Sequence, residues 1–330
     1  MSKLFTYHFS NQETSKLQKV LNIKINPYQK QSAFFSAIKT LANTVNSLSF
    51  FKDLCQQISC ANLYETPAFI LKNCPIDAEL PVFDIENPVD SKYQLKNTFI
   101  SEAFLALYSE YTNSAPMGYK NINNGDHFHD VYPMKKLINS QSQKSLITLG
   151  FHNDLPNHIA RPDWVNILCL RNHHDNQVST TVINNTDIIK NLDSETLAIL
   201  KQPIFKTPQE VISVHGGSDP DAIPLKAIYR EDDLMPLCYF ETRTKATTSI
   251  GEKAIAILNA VLHKVKQRVF LMPGDFISIA NNYSLHAREV ISLGNKQAHQ
   301  KRWLQKTFNV NNINQYEKHM IDNKFRVMDE

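Results

Sequence analysis

Gly150-Phe151-His152-Asn153-Asp154, near the middle of the chain, sets a histidine and an aspartate two positions apart. In an extended strand alternate side chains share a face. An imidazole nitrogen and a carboxylate oxygen could therefore reach one cation together. Two ligands do not make a site, and a third is available 132 residues later (286 − 154), where His286 closes Asn282-Tyr283-Ser284-Leu285-His286. Two histidines and one carboxylate on one face of an octahedron leave three positions open, a set suited to Fe(II) chemistry. A rival lies upstream in His127-Phe128-His129-Asp130, whose His-x-His spacing could also aim two imidazoles from one strand face. With 12 histidines in the chain, a lone one is more often a satisfied structural side chain. His173-His174-Asp175, next to a polar run, reads most simply as a solvated loop. Spacing alone does not choose between the 127–130 and 152–154 clusters.

The elements that must carry these residues are partly legible. Apolar residues recur at helical spacing from Gln31 to Ser59, with no turn signal to say whether this is one helix or two. Ala68 to Lys72 reads as a buried strand, Phe99 to Tyr111 as a helix, and Trp164 to Leu170 as a strand dense in apolar residues. Asp193-Ser194 with Glu195 caps a short helix running to Leu200. Short strands are expected at Val211–Val214, Lys226–Tyr229 and Pro236–Phe240, and an amphipathic helix over Gly251–Lys266. Beyond it the chain alternates strand and turn: Arg268–Leu271, Phe276–Ala280 after Pro273-Gly274-Asp275, and Arg302–Val310. The expectation is an α+β fold, a β-sandwich or jelly roll decorated by helices. No Pro-, Gly- or Ser-rich linker divides it, so residues 1–330 are expected to form one domain. Its parts would be a mainly helical stretch over 1–66, a core with helical insertions over 67–310, and a tail over 311–330.

Composition narrows the function class. Hydrophobic residues make up 42% and charged residues 20%, an ordinary globular balance. The net charge of +3 comes without a long basic block, which argues against a nucleic-acid partner. Five cysteines without a CxxC pair suit reduced thiols and a cytoplasmic setting. No apolar run approaches the roughly 18 residues of a membrane span, and Met1-Ser2-Lys3-Leu4 shows no apolar signal core.

The C-terminal third separates the two clusters. Pro273-Gly274-Asp275-Phe276 through Asn282, then His286, then Lys301-Arg302-Trp303-Leu304-Gln305-Lys306-Thr307-Phe308 stand in order after Phe151-His152-Asn153-Asp154 and Arg161-Pro162-Asp163-Trp164 through Arg171. This layout, over about Ala68 to Val310, resembles the clavaminate synthase-like branch of Fe(II)/2-oxoglutarate oxygenases within the TauD/TfdA-like superfamily. That branch includes asparagine, arginine and lysine hydroxylases. The resemblance implies a double-stranded β-helix core, Fe(II) as cofactor, 2-oxoglutarate as co-substrate and O2 as oxidant. It also implies an amino-acid substrate hydroxylated at an unactivated C–H bond, with succinate and CO2 as co-products.

The resemblance places roles on residues. His152, Asp154 and His286 would be the metal ligands. Arg302 would take the distal carboxylate of 2-oxoglutarate through a two-pronged contact. Thr180, with Thr181 as the neighbouring alternative, would lend that carboxylate a hydroxyl. Lys306 stands where relatives carry a second arginine, and Lys306 and Asp130 are candidates for the substrate's carboxylate and ammonium. Glu241 lies where arginine hydroxylases hold an acidic pair; a single acid here makes arginine a poorer fit than a smaller or differently charged substrate.

Two departures stand out. Asp154 replaces the Glu usual in the branch, and a carboxylate there argues against halogenation. The 16-residue gap from His286 to Arg302 (302 − 286) is about two longer than expected, an excess assigned to the loop Ser292–Gln300. The rival reading is a jelly-roll metal-binding or small-molecule-sensing protein without oxygenase activity, using His127 and His129.

Overall fold

The structure, a computed structural model, describes residues 3–208, 224–230 and 237–329. Its strands are β1 (Phe5–His8), β2 (Ala68–Lys72), β3 (Ala115–Tyr119), β4 (His129–Val131), β5 (Leu149–His152), β6 (Trp164–Arg171), β7 (Asn176–Asn184), β8 (Phe205–Lys206), β9 (Lys245–Ala246), β10 (Gln267–Val269), β11 (Phe276–Ala280), β12 (Ser284–Leu293), β13 (Trp303–Val310) and β14 (Val327–Met328). The α-helices are α1 (Asn11–Val20), α2 (Gln31–Thr44), α3 (Ser49–Ser59), α4 (Pro88–Leu95), α5 (Ile100–Tyr111), α6 (Asn185–Lys190), α7 (Ser194–Leu200), α8 (Ser249–Val265) and α9 (Lys296–His299).

A large sheet runs β1-β2-β11-β6-β13-β3-β14, with β4 also paired to β13. A second sheet runs β10-β7-β12-β5, and β8 pairs β9 apart from both. Strand β6 explains the layering. Its Val165, Ile167 and Cys169 pack with Val182 of β7 and Val269 of β10, residues of the second sheet. The alternate residues Leu168 and Leu170 pack with Phe34, Phe51 and Phe104 of the N-terminal helices. A strand buried on both faces needs no polar alternation, which is why its sequence is mostly apolar, Asn166 being the one polar residue between Trp164 and Leu170. On the far side, Phe151, Ile183 and Leu285 of the second sheet pack with Ile188, Leu200 and Leu258 of α6, α7 and α8. Four layers result: helices, large sheet, small sheet, helices.

Local signals account for the helix ends. Ser10 and Glu13 close a capping box on α1, Asn87 caps α4 with Pro88 in its first turn, and Asp193 caps α7. The 31–59 periodicity resolves into two helices, because Val45 leaves helical geometry at φ −99°, ψ 91° and a short 3₁₀ turn intervenes. The structure adds detail to the expected parts. The stretch 1–66 also contains β1, which pairs parallel with β2. The tail returns to the molecule, with β14 beside β3 and Met328 fully buried. Lys226–Tyr229 and 237–240 form isolated bridges instead of strands, and Val211–Val214 lies outside the described residues.

Candidate metal centre

The facing sheets contribute different chemistry. From the small sheet come His152 at the end of β5, Thr180 on β7 and His286 on β12; from the large sheet come Val131, Ile167, Leu304 and Lys306, with Arg302 just before β13. All of them line one cavity. His152 and His286 are cross-strand partners in the β5–β12 pairing, with ring centroids 4.5 Å apart. Side-chain ligand atoms of His152, Asp154 and His286 all lie within 4.8 Å of one another. His286 Nε2 is 3.1 Å from Asp154 Oδ2, and His152 Nε2 is 3.9 Å from Asp154 Oδ1.

Asp154 does not sit on a strand, as the His-x-Asp spacing suggested. Strand β5 ends at His152 and the chain turns, Leu155 taking φ +49°. The carboxylate is delivered by asparagines instead. Asn281 accepts the Asp154 N–H at 2.9 Å and donates to its carbonyl at 3.0 Å. Asn153 donates to the carbonyls of Asn281 and Ser284. Nothing in the local sequence flagged Asn281 beyond its place in the motif before His286.

The electrostatics suit a divalent cation. The Nδ1 of His152 lies 2.8 Å from the Gly150 carbonyl, which fixes that nitrogen as the donor and leaves Nε2 as a free lone pair. Burial, then the neighbouring His286, push the His152 imidazole down to about 3, so it is neutral. Burial pushes the Asp154 carboxyl up, yet Lys306 and the hydrogen bond with His286 outweigh it and hold it well below the usual range. The Lys306 ammonium stands 3.4 Å from each Asp154 oxygen and 4.2 Å from the Phe308 ring centroid.

Arg302 is 4% exposed, and its Nε has no hydrogen-bond partner among the described residues. A buried guanidinium without an acceptor is costly, and burial draws its pKa down. The cavity wall thus holds an unmatched, fork-shaped cation that fits a carboxylate. Of the two threonines, Thr180 lines this cavity, whereas Thr181 donates to Glu289 Oε2 at 2.9 Å. The Ser292–Gln300 excess forms α9, capped by Asn295.

Two expected substrate contacts lie elsewhere. Val131 lines the cavity, so alternation turns its neighbour Asp130 to the opposite face of β4. There Asp130 pairs with Lys92 at 2.9 Å and accepts from Trp303 Nε1 at 2.9 Å. Glu241 accepts the Phe151 N–H at 2.9 Å and pairs with His263 at 2.8 Å; its neighbour Phe240 is the one that lines a cavity. The rival histidines belong to aromatic packing. His127 lies against Phe35 and Phe325, and His129 against Phe308. Among the described residues, grouped potential ligands are His152/Asp154/His286 and the exposed loop His173/His174/Asp175.

A second cavity also borders the triad. It is lined by His152, Asp154, Phe240, Asn157 and Arg243, and Gln143 belongs to both cavities.

No family model matches the chain. It is 29% identical over 242 residues to clavaminate synthase 2 of Streptomyces clavuligerus, covering 72% of each protein. The chain is a relative of clavaminate synthase. It is also 25% identical over 199 residues to enduracididine beta-hydroxylase of Streptomyces hygroscopicus and 25% over 186 residues to L-asparagine oxygenase of Streptomyces coelicolor. Those two matches span 57% and 54% of the relatives' own lengths. Among solved structures, an asparagine oxygenase in complex with Fe(II), 3-hydroxyasparagine and succinate superposes with a TM-score of 0.80 at 17% identity, covering 99% of both chains. The non-haem iron oxygenase OrfP in complex with Fe and α-ketoglutaric acid gives 0.78 at 18% identity, covering 98% of this chain and 99% of OrfP. The fold of this clavaminate synthase relative is therefore that of the non-haem iron oxygenases.

Proposed function

We propose that the protein is an Fe(II)/2-oxoglutarate-dependent dioxygenase that hydroxylates an unactivated C–H bond of a free L-amino acid or close derivative. The two facing sheets are read as its double-stranded β-helix and the whole chain as one oxygenase domain. The observation that carries this reading is the meeting, in one cavity, of a two-histidine, one-carboxylate face with the unmatched guanidinium of Arg302.

His152, Asp154 and His286 would hold the iron, whose bound form couples decarboxylation of 2-oxoglutarate by O2 to C–H oxidation, giving succinate and CO2. The chain's own residues position and exclude. Arg302 supplies paired donors for the distal carboxylate of 2-oxoglutarate, and the Thr180 hydroxyl adds a third. Lys306 offers a point charge to a substrate carboxylate and keeps Asp154 ionised. Val131, Ile167 and Leu304 form the apolar wall that keeps water from the reacting groups. No helix among the described residues is long and apolar enough to cross a membrane. Free cysteines, four of them buried, suit a cytoplasmic setting.

The test is succinate formation from 2-oxoglutarate with Fe(II) and ascorbate, over a panel of the twenty proteinogenic amino acids and common derivatives. One member should stimulate turnover, and His152→Ala should abolish it. Iron binding without stimulated turnover by any member would sink the amino-acid assignment.

A further inference from the structure

Gln143 stands where the two cavities meet beside His152 and Asp154. Its carbonyl is held in place. Arg288 Nη1 donates to the Gln143 carbonyl at 2.9 Å, while Nε and Nη2 donate to Ile147, Ser142 and the Ser145 hydroxyl. Its side chain is not satisfied. Oε1 is buried and has no hydrogen-bond partner among the described residues.

The other side-chain amide oxygens in the same wall are taken. Gln141 Oε1 accepts from Gly150 N–H and the Thr242 hydroxyl. Asn153 Oδ1 accepts from Tyr239 N–H, and Asn157 Oδ1 from Lys226. A buried acceptor without a donor costs free energy until something donates to it. 2-Oxoglutarate cannot do so, because its two carboxylates and ketone are all acceptors. An amino acid can, through its ammonium or a side-chain N–H.

We propose that Gln143 reads the substrate by accepting a hydrogen bond on Oε1 from a nitrogen of the amino acid. This rests on the amino-acid oxygenase reading above. It makes Gln143 a specificity residue for the second substrate and silent toward the first. Replacing it should weaken amino-acid binding while leaving the co-substrate untouched.

The test uses the full-length enzyme with Fe(II) and 2-oxoglutarate, and the amino acid that most stimulates the wild type. Initial rates are paired with anaerobic calorimetry of amino-acid binding, a readout independent of turnover. Gln143→Leu should bind the amino acid about ten- to a hundredfold more weakly, the worth of one hydrogen bond to a charged or buried donor. Its KM for 2-oxoglutarate should not move, and its melting temperature should stay at or above that of the wild type. Gln143→Glu, which keeps an acceptor, should retain binding. Two analogues locate the donor: one with hydrogen in place of the ammonium, one with the side-chain nitrogen replaced by carbon. Gln143→Leu should lose its handicap only on the analogue lacking the nitrogen that is read. Unchanged affinity for the parent amino acid in Gln143→Leu, or equal shifts in both substrates' KM, would overturn the inference alone. A wild type that neither binds nor responds to any amino acid would overturn the proposed function and this inference together.

Discussion

Asn281 grips Asp154 by both of its backbone groups, accepting the N–H at 2.9 Å and donating to the carbonyl at 3.0 Å. The grip substitutes for a strand. β5 has ended at His152, and without Asn281 the Asp154 backbone would lose both of these contacts, leaving the turn held through its neighbour Asn153. Asn281 also donates to the Pro162 carbonyl and is fully buried. Asn281→Ala should therefore lower metal affinity about 10–100-fold, the usual effect of losing a group that orients a ligand. Stability should fall by about 1–3 kcal/mol for the buried groups left unpaired. Metal titration and denaturant unfolding measure the two; unaltered metal affinity would show that Asp154 needs no such support.

Arg302 is expected to behave oppositely with and without co-substrate. Its unmatched buried guanidinium destabilises the empty protein, so Arg302→Met should melt at or above the wild-type temperature. Wild-type protein should be stabilised by added 2-oxoglutarate through mass action, and the variant should not. Its KM for 2-oxoglutarate should rise about 10–100-fold, in line with charge-assisted hydrogen bonds of about 1.5–3 kcal/mol. A variant that melts lower and still responds to 2-oxoglutarate would place the anchor elsewhere.

The two histidine clusters separate by metal content. His152→Ala should lose bound Fe(II), whereas the double variant His127→Phe/His129→Phe should keep one equivalent. The aromatic surroundings of His127 and His129 make phenylalanine the fitting replacement. Elemental analysis of the purified, iron-loaded proteins decides it. Metal lost from the double variant and retained by His152→Ala would reverse the assignment.

Lys92 is buried between Asp126, at 2.6 Å, and Asp130, at 2.9 Å. Asp130 in turn holds the indole of Trp303, next to Arg302. Lys92→Met should cost about 3–5 kcal/mol, since two buried carboxylates lose their counter-charge. Burial already raises the Asp126 carboxyl despite Lys92; without the ammonium only the hydrogen bond from the Tyr93 hydroxyl, at 2.8 Å, still opposes that rise. A carboxyl whose folded pKa lies above its unfolded one contributes stability below the unfolded pKa and loses it as pH rises through the folded pKa. The deficit of Lys92→Met should therefore be smallest in acid and grow toward neutral pH, as followed by urea unfolding across that range. A deficit independent of pH would mean the carboxylates are relieved in some other way.

What the sequence determined by itself is chemistry and local form. Ser10 with Glu13 and Asp193 with its first turn mark helix starts because their donors and acceptors lie within one turn. The apolar run of β6 reports burial on both faces, and histidine and aspartate are among the few side chains able to ligate a cation. Tertiary structure decided which of them meet. The pairing of β5 with β12 brings His152 beside His286 across 134 positions (286 − 152), and no local pattern encodes which strands pair. A shift of one residue in a strand reverses the face a side chain presents. That is why Val131 lines a cavity while Asp130, one position away on β4, is turned into an ion pair and a hydrogen bond. The delivery of Asp154 by Asn281 is likewise a long-range outcome, since only the folded chain brings the two within hydrogen-bonding distance, and the burial of the Gln143 acceptor away from any donor is decided by the same folding.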